Sequence, residues 1–195
     1  MNQKSEGSGV MKRLETPRLI LRDWTEDDLE DLYEYAADPE VGPAAGWKPH
    51  ESLEESRQIL NEMFLGSTEI WAVEDRETGR VIGSGGLHPD RMRPGVPGVK
   101  MLGYVLARAA WGRGLMTEAA GEALRYAFEG EGLALISVFH YPFNNRSRRV
   151  VEKCGFRYEG ILRRAGTRYD GALLDEVCYS LTAEEYQAQR GVGGC

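Results

Sequence analysis

Two glycines flank an arginine in "RAAWGRGLMTEA", residues 108–119, directly before a helical pattern. Gly112 and Gly114 allow backbone conformations that cost other residues energy, and they place no Cβ between the main chain and a ligand. Unpaired amides at a helix start, together with the helix dipole, attract an anion. The stretch therefore predicts either a tight strand-to-helix turn or a phosphate-binding turn in which Arg113 adds a positive charge.

The motifs of familiar nucleotide-binding loops do not fit this stretch. No Lys-Ser or Lys-Thr pair follows the glycines, as a phosphate loop requires. Thr117 stands where a dinucleotide-binding motif has its third glycine. A fold that uses these glycines for ATP is therefore disfavoured.

Composition limits the class of protein. The 195 residues, 42% of them hydrophobic, are enough for one sizeable core and one domain. The net charge of −7 argues against general nucleic-acid binding. No apolar run is long enough to span a membrane, and "MNQKSEGSGV" lacks the apolar centre of a signal peptide. We therefore expect a cytoplasmic protein with no nucleic-acid or membrane partner.

Cysteine and histidine spacing predicts no metal site and no disulfide framework. The three histidines, His50, His88 and His140, have no partner at metal-ligand spacing. The three cysteines are odd in number and contain no CxxC pair, so we expect reduced thiols. They are Cys154, Cys178 and Cys195.

Helical periodicity and capping residues define the helices that would position the turn. Thr25 begins the first helix with acidic residues in its first turn, and Ser52 with Glu55 forms a capping box for the second. The second helix has an apolar face of Ile59, Leu60, Met63 and Phe64. The helix after the glycine turn has an apolar face of Leu115, Ala119, Ala120, Ala123, Leu124, Ala127 and Phe128. A short helix over 147–154 ends at Gly155.

Strand patterns surround these helices. The β-rich runs lie at 18–24, 70–75, 80–87, 99–107 and 133–141, and an antiparallel pair flanks the turn signal "YDG" at 169–171. We expect disorder in the tail of residues 1–12 and in the glycine-rich end "GVGGC". Residues 13–190 then form a single α/β domain.

Three segments occur in order along the chain: "TPRLILRDWTEDD", "GYVLARAAWGRGLMTEA" and "NNRSRRVVEKCGFRYEG". Together they resemble the GNAT superfamily of acetyl-CoA-dependent N-acetyltransferases, and within it the branch that acetylates the N-termini of ribosomal proteins. The resemblance covers roughly residues 14–182. It implies a mixed α/β fold with a central, mostly antiparallel, twisted sheet, a splayed parallel strand pair, and helices on both faces. It is also compatible with a homodimer.

The resemblance implies roles for residues that match the family's motifs. The pantetheine arm of coenzyme A would pair with the backbone of Tyr104, Val105 and Leu106, in the gap between two splayed strands. Asn144 would hydrogen-bond this arm, and Ser147 would lie near the thioester sulfur. The pyrophosphate would be held by the turn that comprises Trp111, Gly112, Arg113, Gly114, Leu115, Met116 and Thr117.

The arginines of "RSRRV" are candidates for the phosphates of coenzyme A. We expect at least two of Arg146, Arg148 and Arg149 on a solvated helix face, and we assign Arg149 to the cofactor. The chain departs from the wider superfamily at two positions. Ala109 replaces a Gln or Arg, and Val151 stands where many relatives have the tyrosine that protonates the leaving thiolate.

The implied reaction is direct attack of a neutral amine on the acetyl thioester. A backbone N–H of Val105 or Leu106 would stabilise the oxyanion, and Ser147 or water would serve the leaving thiolate. For the general base, His140, Asp175, Glu176 and a water chain remain open. The base must remove a proton from the amine before it attacks. An α-amine, with a pKa of ~8, loses this proton more easily than a lysine side chain, with a pKa of ~10.4.

The acceptor is therefore expected to be a primary amine, in the first place a protein N-terminus. Two alternatives stay open: acetylation of a small-molecule amine such as an antibiotic or amino-acid analogue, and acyl-CoA binding without turnover. The loops at 43–50 and 88–98 are candidates for the acceptor pocket. Trp47 would either line that pocket or cap the core.

Overall fold

A computed structural model describes residues 11–191 of the chain. One sheet of eight strands forms its centre. In chain order the strands are β1 (Leu14–Glu15), β2 (Leu19–Arg22), β3 (Ile70–Asp75), β4 (Val81–Pro89), β5 (Val99–Leu106), β6 (Leu135–His140), β7 (Arg157–Thr167) and β8 (Leu173–Thr182).

The spatial order of the strands is β1-β2-β3-β4-β5-β6-β8-β7. Every neighbouring pair is antiparallel except β5 and β6, which run parallel. These two strands are paired only where Val99–Met101 faces Leu135–Ser137. The expected mixed sheet with one splayed parallel pair is therefore confirmed.

Helices cover both faces of this sheet, as two separate buried clusters show. One cluster contains residues of α4 and α5, and the other contains residues of α1 and Leu60, which directly follows α3. The helices are α1 (Leu29–Ala36), α2 (Gly42–Ala45), α3 (Leu53–Ile59), α4 (Leu115–Arg125), α5 (Asn145–Lys153) and α6 (Ala183–Gly191). A π-turn extends α3 over Leu60–Phe64, and another extends α4 over Tyr126–Gly130.

Local sequence signals account for most of these helices. All seven apolar positions expected on the face of α4 and its extension are buried. Ser52 caps α3, and its Oγ accepts the N–H of Glu55 at 3.1 Å. The apolar face expected for α3 is wrong at Met63, which is 58% exposed because the π-turn changes the angular spacing of residues there.

Three features go beyond the sequence expectations. The short α2 lies inside the segment expected to be a loop, and α6 follows β8 without having been expected. Met11 is buried in the core, and Lys12 O accepts the indole N–H of Trp71 at 2.9 Å, so these two residues belong to the domain and not to a tail. Residues 1–10 and 192–195, including Cys195, lie outside the described residues.

Cys154 and Cys178 are free thiols, and burial raises the pKa of Cys154 to about 11. Within residues 11–191, no group of three or more metal-ligating side chains comes together. None of the helices in this part of the chain has the length and apolarity needed to cross a membrane.

Candidate active site

The parting of β5 from β6 opens a gap in the middle of the sheet. Beyond Met101 the β5 edge has no partner strand in the described part of the chain, while its other edge stays paired with β4 as far as Leu106. A cleft of about 350 Å³ occupies this gap. Its lining includes β5, the turn after β5, the end of β6 and the first turns of α4 and α5.

The pairing of β4 with β5 determines which amides of β5 face the cleft. Ala107 N donates to Ile82 O at 2.7 Å, in the same register as the strand pair. Because hydrogen-bonding direction alternates along a strand, Val105 also directs its main-chain groups toward β4, and Tyr104 and Leu106 direct theirs toward the gap. Leu106 O accepts the indole N–H of Trp111 at 2.7 Å, which agrees with this direction.

The turn between β5 and α4 has the geometry of an anion site. Gly112 and Gly114 have φ of +75° and +77°, so the turn needs glycine for its conformation. A Cβ on Gly112 would meet nothing within 4 Å. The amides of 112–117 have no acceptor among residues 11–191, and no side chain caps α4. The positive φ thus explains the glycine, and the main chain at Gly112 is unobstructed.

A network beneath the turn holds it in place. Arg18 Nη1 donates to Arg113 O at 3.0 Å, and Arg18 Nε donates to Glu118 Oε2 at 2.7 Å. Thr16 Oγ1 donates to the same carboxylate at 2.6 Å. Burial opposes ionisation of Glu118, but these hydrogen bonds and the charge of Arg18 lower its pKa overall. The carbonyl side of the turn is thus anchored while its amide side is open.

The first turn of α5 forms the opposite wall. Asn144 caps the helix, because its Oδ1 accepts the N–H of Ser147 at 3.0 Å, and its Nδ2 donates to Ala44 O at 2.9 Å. Ser147 Oγ lies 2.8 Å from the hydroxyl oxygen of Tyr104 on β5. Ser147 is therefore fixed both through its amide and through its hydroxyl.

The basic residues of α5 are all exposed and differ in whether they line the cleft. Arg149 and Lys153 line the cleft, as does Arg146, whose guanidinium lies 4.0 Å from the centre of the Trp111 ring. Arg148 instead pairs with Glu152 at 2.7 Å on the exposed face of α5.

The residues of the β5–α4 turn also differ in whether they line the cleft. The Arg113 side chain faces Asp75 at 3.9 Å and is not part of the lining. The other residues expected to hold the pyrophosphate all line the cleft, namely Trp111, Gly112, Gly114, Leu115, Met116 and Thr117.

The three candidate bases occupy different environments. His140 lines the cleft, its Nδ1 donates to Tyr141 O at 2.9 Å, and its Nε2 is buried without a partner among the described residues. Asp175 Oδ1 instead accepts the N–H of Arg164, where β7 bulges. Glu176 is buried and paired with Arg91 at 3.0 Å, outside the cleft lining. His140 is thus the candidate that the fold brings to the cleft.

The loops expected to form the acceptor pocket contribute little to the cleft. Trp47 packs on the core cluster that contains residues of α1, and it contacts His50 at a ring distance of 5.4 Å, so it caps the core. Of the loop at 43–50, the cleft is lined by Ala44 and Ala45. No residue of the loop at 88–98 belongs to the lining.

Sequence reasoning missed several residues of the site. Val41 and Lys153 line the cleft, as does Tyr104, whose hydroxyl meets Ser147. A basic residue one turn after Arg149 was a usable signal for Lys153. No local signal indicated Val41 or a role for the Tyr104 side chain, because both depend on how distant elements pack.

Comparison with known proteins agrees with this geometry. The family model of the acetyltransferase (GNAT) domain matches residues 18–157. The uncharacterized N-acetyltransferase p20 of Bacillus licheniformis is 31% identical over 180 residues, which are 90% of this chain and 99% of that protein. The ribosomal protein uS5-alanine N-acetyltransferase of Escherichia coli strain K12 is 32% identical over 89 residues, 46% of this chain and 45% of that protein.

A solved structure shows the same fold. The spermidine N-acetyltransferase of Vibrio cholerae, crystallised with CoA and spermine, superposes with a TM-score of 0.72 at 21% identity, over 88% of this chain and 99% of that one. GNAT domains use acetyl-CoA as the acetyl donor, and the open amides of the β5–α4 turn fit its pyrophosphate. This chain belongs to the GNAT family and is an N-acetyltransferase.

Proposed function

We propose that this N-acetyltransferase acetylates the α-amine of a protein N-terminus. One observation carries the proposal: within residues 11–191, the ionisable side chains that line the cleft are basic or aromatic, and none is a carboxylate. A polyamine acceptor would favour carboxylates around its charges. An α-amine needs little help to lose its proton, since about a tenth of it is neutral at pH 7, whereas a lysine amine is almost fully charged.

Supporting features lie at the acceptor end of the cleft. Val41, Ala44, Ala45, Phe139 and Tyr141 are all part of the cleft lining. Small apolar and aromatic surfaces of this kind fit the first residue of a peptide with a short side chain. The similarity to the uS5-alanine N-acetyltransferase points to the same acceptor class.

The donor would be held at both of its ends. The amides of 112–117 would bind the pyrophosphate of acetyl-CoA, and Arg149 would neutralise part of the phosphate charge. The pantetheine arm would pair with the open edge of β5 at Tyr104, whose main-chain groups face the gap, because the Leu106 carbonyl already accepts the indole N–H of Trp111.

Acetyl transfer then needs three functions from the chain. The amine nitrogen forms a bond to the thioester carbon, and the electron pair of the broken C–S bond stays on sulfur. The Leu106 N–H faces the gap, whereas the Val105 N–H faces β4. The Leu106 N–H would therefore stabilise the oxyanion. Ser147 would donate a hydrogen bond to the leaving thiolate, and His140 Nε2 would accept the proton of the amine, directly or through water.

Acetyl transfer to a panel of amines, read by product mass, tests the acceptor. The panel holds peptides with a free N-terminus, N-blocked lysine peptides, polyamines and aminoglycosides. We expect product on the free N-termini, with the highest rate for small first residues. Product on polyamines or aminoglycosides alone would replace the proposal by a small-molecule acceptor. No product on any amine, with acetyl-CoA still bound, would favour an acyl-CoA-binding module.

A His140→Gln variant tests the base. Because the base only has to make an α-amine neutral, its loss should lower kcat about tenfold at pH 7. The defect should disappear near pH 9, where the α-amine is already neutral. A defect of equal size at both pH values would exclude His140 from this role. A homodimer and a cytoplasmic location remain predictions from the sequence.

A further inference from the structure

The hydroxyl of Tyr104 is a partly buried polar group that faces Ser147 in the cleft. Tyr104 lies on β5 and Ser147 lies on α5, on opposite walls of the gap. The Tyr104 hydroxyl oxygen is 2.8 Å from Ser147 Oγ and 3.3 Å from Ser147 O. The shorter distance is that of an ordinary O–H···O hydrogen bond, and burial strengthens such a bond.

The protons of this pair can be counted. Ser147 has one hydroxyl proton and Tyr104 has one. If Tyr104 donates to Ser147 Oγ, the serine proton remains for an acceptor in the cleft. If the serine donates to Tyr104, that proton is used within the pair, and the phenol is left with the more distant Ser147 O. In the first arrangement the serine proton is free for a negatively charged sulfur in the cleft, whereas in the second it is not.

We propose that Tyr104 is a positioning residue for acetyl transfer, which donates to Ser147 Oγ and thereby aims the serine O–H at the sulfur of the leaving thiolate. The inference rests on the role proposed for Ser147 above. Tyr104 acts through the serine and does not touch the reacting atoms. It makes a bridge between β5 and α5 that ties the orientation of Ser147 to the strand that carries Leu106.

Tyr104 keeps its proton during the reaction. Burial raises the pKa of the phenol above its ordinary range, and the hydrogen bond with Ser147 only partly opposes this effect. The nearby ionisable group is Cys154, whose thiol is neutral because burial raises its pKa to about 11. The phenol therefore donates a hydrogen bond and transfers no proton to sulfur.

Kinetics of Tyr104→Phe give the first test. Loss of one hydrogen bond should lower kcat about 3- to 10-fold while the KM for acetyl-CoA stays within about twofold. In a Ser147→Ala background, Tyr104→Phe should cause no further loss, because its effect passes through the serine. Losses that multiply independently, or an unchanged kcat in Tyr104→Phe alone, would overturn the proposal.

Tyr126→Phe serves as the matched control. Its hydroxyl donates to Glu131 at 2.9 Å, and Tyr126 is not part of the cleft lining. Tyr126→Phe removes a tyrosine hydroxyl, as Tyr104→Phe does, and should leave kcat and KM unchanged. The melting temperatures of both variants show whether folding has been disturbed.

Binding of CoA gives a second test that needs no turnover. Calorimetry compares CoA with desulfo-CoA, which lacks the thiol, at pH 7 and at about pH 9.5, where a free thiol is ionised. The ratio of the wild-type affinities for CoA and desulfo-CoA should be larger at the higher pH. Tyr104→Phe should reduce this increase in the ratio about 3- to 10-fold. An equal increase in both proteins would overturn the inference. Wild-type protein that shows the increase but acetylates no amine would instead refute the proposed function.

Discussion

Two turns of this protein use glycine at nearly the same backbone angle and treat their amides in opposite ways. In the β3–β4 turn, Gly79 has φ of +69° and its N–H donates to Asp75 O at 2.8 Å. In the β5–α4 turn, Gly112 has φ of +75°, and the amides of 112–117 have no acceptor among residues 11–191. A Cβ on either glycine would meet nothing within 4 Å. The two turns therefore differ in their amides and not in their glycines, and the unpaired amides carry the proposal that the β5–α4 turn binds an anion.

The largest expected effect comes from Gly112→Asn. Asparagine tolerates this backbone conformation, so the fold should lose little, but its side chain stands where the pyrophosphate approaches the amides. Loss of two charge-assisted hydrogen bonds, each worth about 1.5 kcal/mol, should weaken acetyl-CoA binding by about 100-fold. Calorimetric titration of the purified variant measures this.

Gly79→Asn is the control for Gly112→Asn. It makes the same change at nearly the same backbone angle in the β3–β4 turn, where the glycine amide is already hydrogen-bonded. Both variants should lower the melting temperature by similar amounts, within about 4 °C for roughly 1 kcal/mol. Only Gly112→Asn should lose affinity for acetyl-CoA. Equal affinity in the two variants would remove the distinction between the turns.

A second contrast lies at the helix starts, because a 3₁₀ turn with a capping box of Thr25 and Asp28 precedes α1, whereas no side chain caps α4. Before α1, Asp28 is buried, accepts the N–H of Thr25 at 2.8 Å and binds Arg22 through both carboxylate oxygens at 2.8 Å. Asp28→Asn should cost about 2 kcal/mol at pH 7, measured by urea unfolding. The exposed neighbour Asp27→Asn should cost well under 1 kcal/mol.

The pH dependence of the Asp28 effect has a definite sign. Burial tends to raise the pKa of Asp28, but hydrogen bonds and the charge of Arg22 lower it overall. A lowered pKa contributes stability that is present above the ordinary value near ~4 and is lost as the pH falls through the folded value. The difference in unfolding free energy between wild type and Asp28→Asn should therefore shrink below about pH 4. A difference that grows in acid would contradict the assigned ion pair.

A smaller effect is expected from Arg149→Gln. Arg149 lines the cleft, so loss of its charge should weaken acetyl-CoA binding about fivefold at low salt and less at 1 M salt, where charges are screened. Arg148→Gln changes the adjacent arginine, which pairs with Glu152 outside the cleft, and should leave the affinity unchanged. Similar losses in both variants would indicate a general charge effect of α5.

The smallest effect is expected from Arg113→Gln. Arg113 lies between the two glycines of the β5–α4 turn, but its side chain faces Asp75 at the start of the β3–β4 turn. In the proposed site the β5–α4 turn binds the ligand through its amides and not through this side chain. Acetyl-CoA affinity should change by less than about twofold, as for an exposed ion pair. A loss of tenfold or more would mean that the side chain swings into the cleft when the ligand binds.

Features that depend on residues a few positions apart could be predicted from the sequence. The apolar face of α4, the Ser52 cap of α3 and the strand-to-helix turn at Gly112 are all local, and each is present. The missed α6 also had a local signal: Thr182 Oγ1 accepts the N–H of Glu185, and the Glu185 carboxylate accepts the N–H of Thr182.

Side-chain contacts that join distant elements could not be predicted. Tyr104 meets Ser147 across 43 positions, Asn144 meets Ala44 across 100, and Arg18 reaches Arg113 across 95. These contacts depend on where α5 and the segment before α3 pack against the sheet. The direction of the Val105 and Leu106 amides depends on the register of β4 and β5, and a slip of one residue reverses it.

Chemical shifts of the turn amides test the central claim most directly. Two-dimensional amide spectra of the ¹⁵N-labelled protein are recorded with CoA and with pantetheine, which has the same arm without the phosphates. We predict that CoA moves the resonances of 112–117 downfield, that pantetheine does not, and that the amide of Gly79 responds to neither. Turn amides that stay in place while CoA binds, or that respond equally to pantetheine, would contradict the assignment of the open turn to the pyrophosphate.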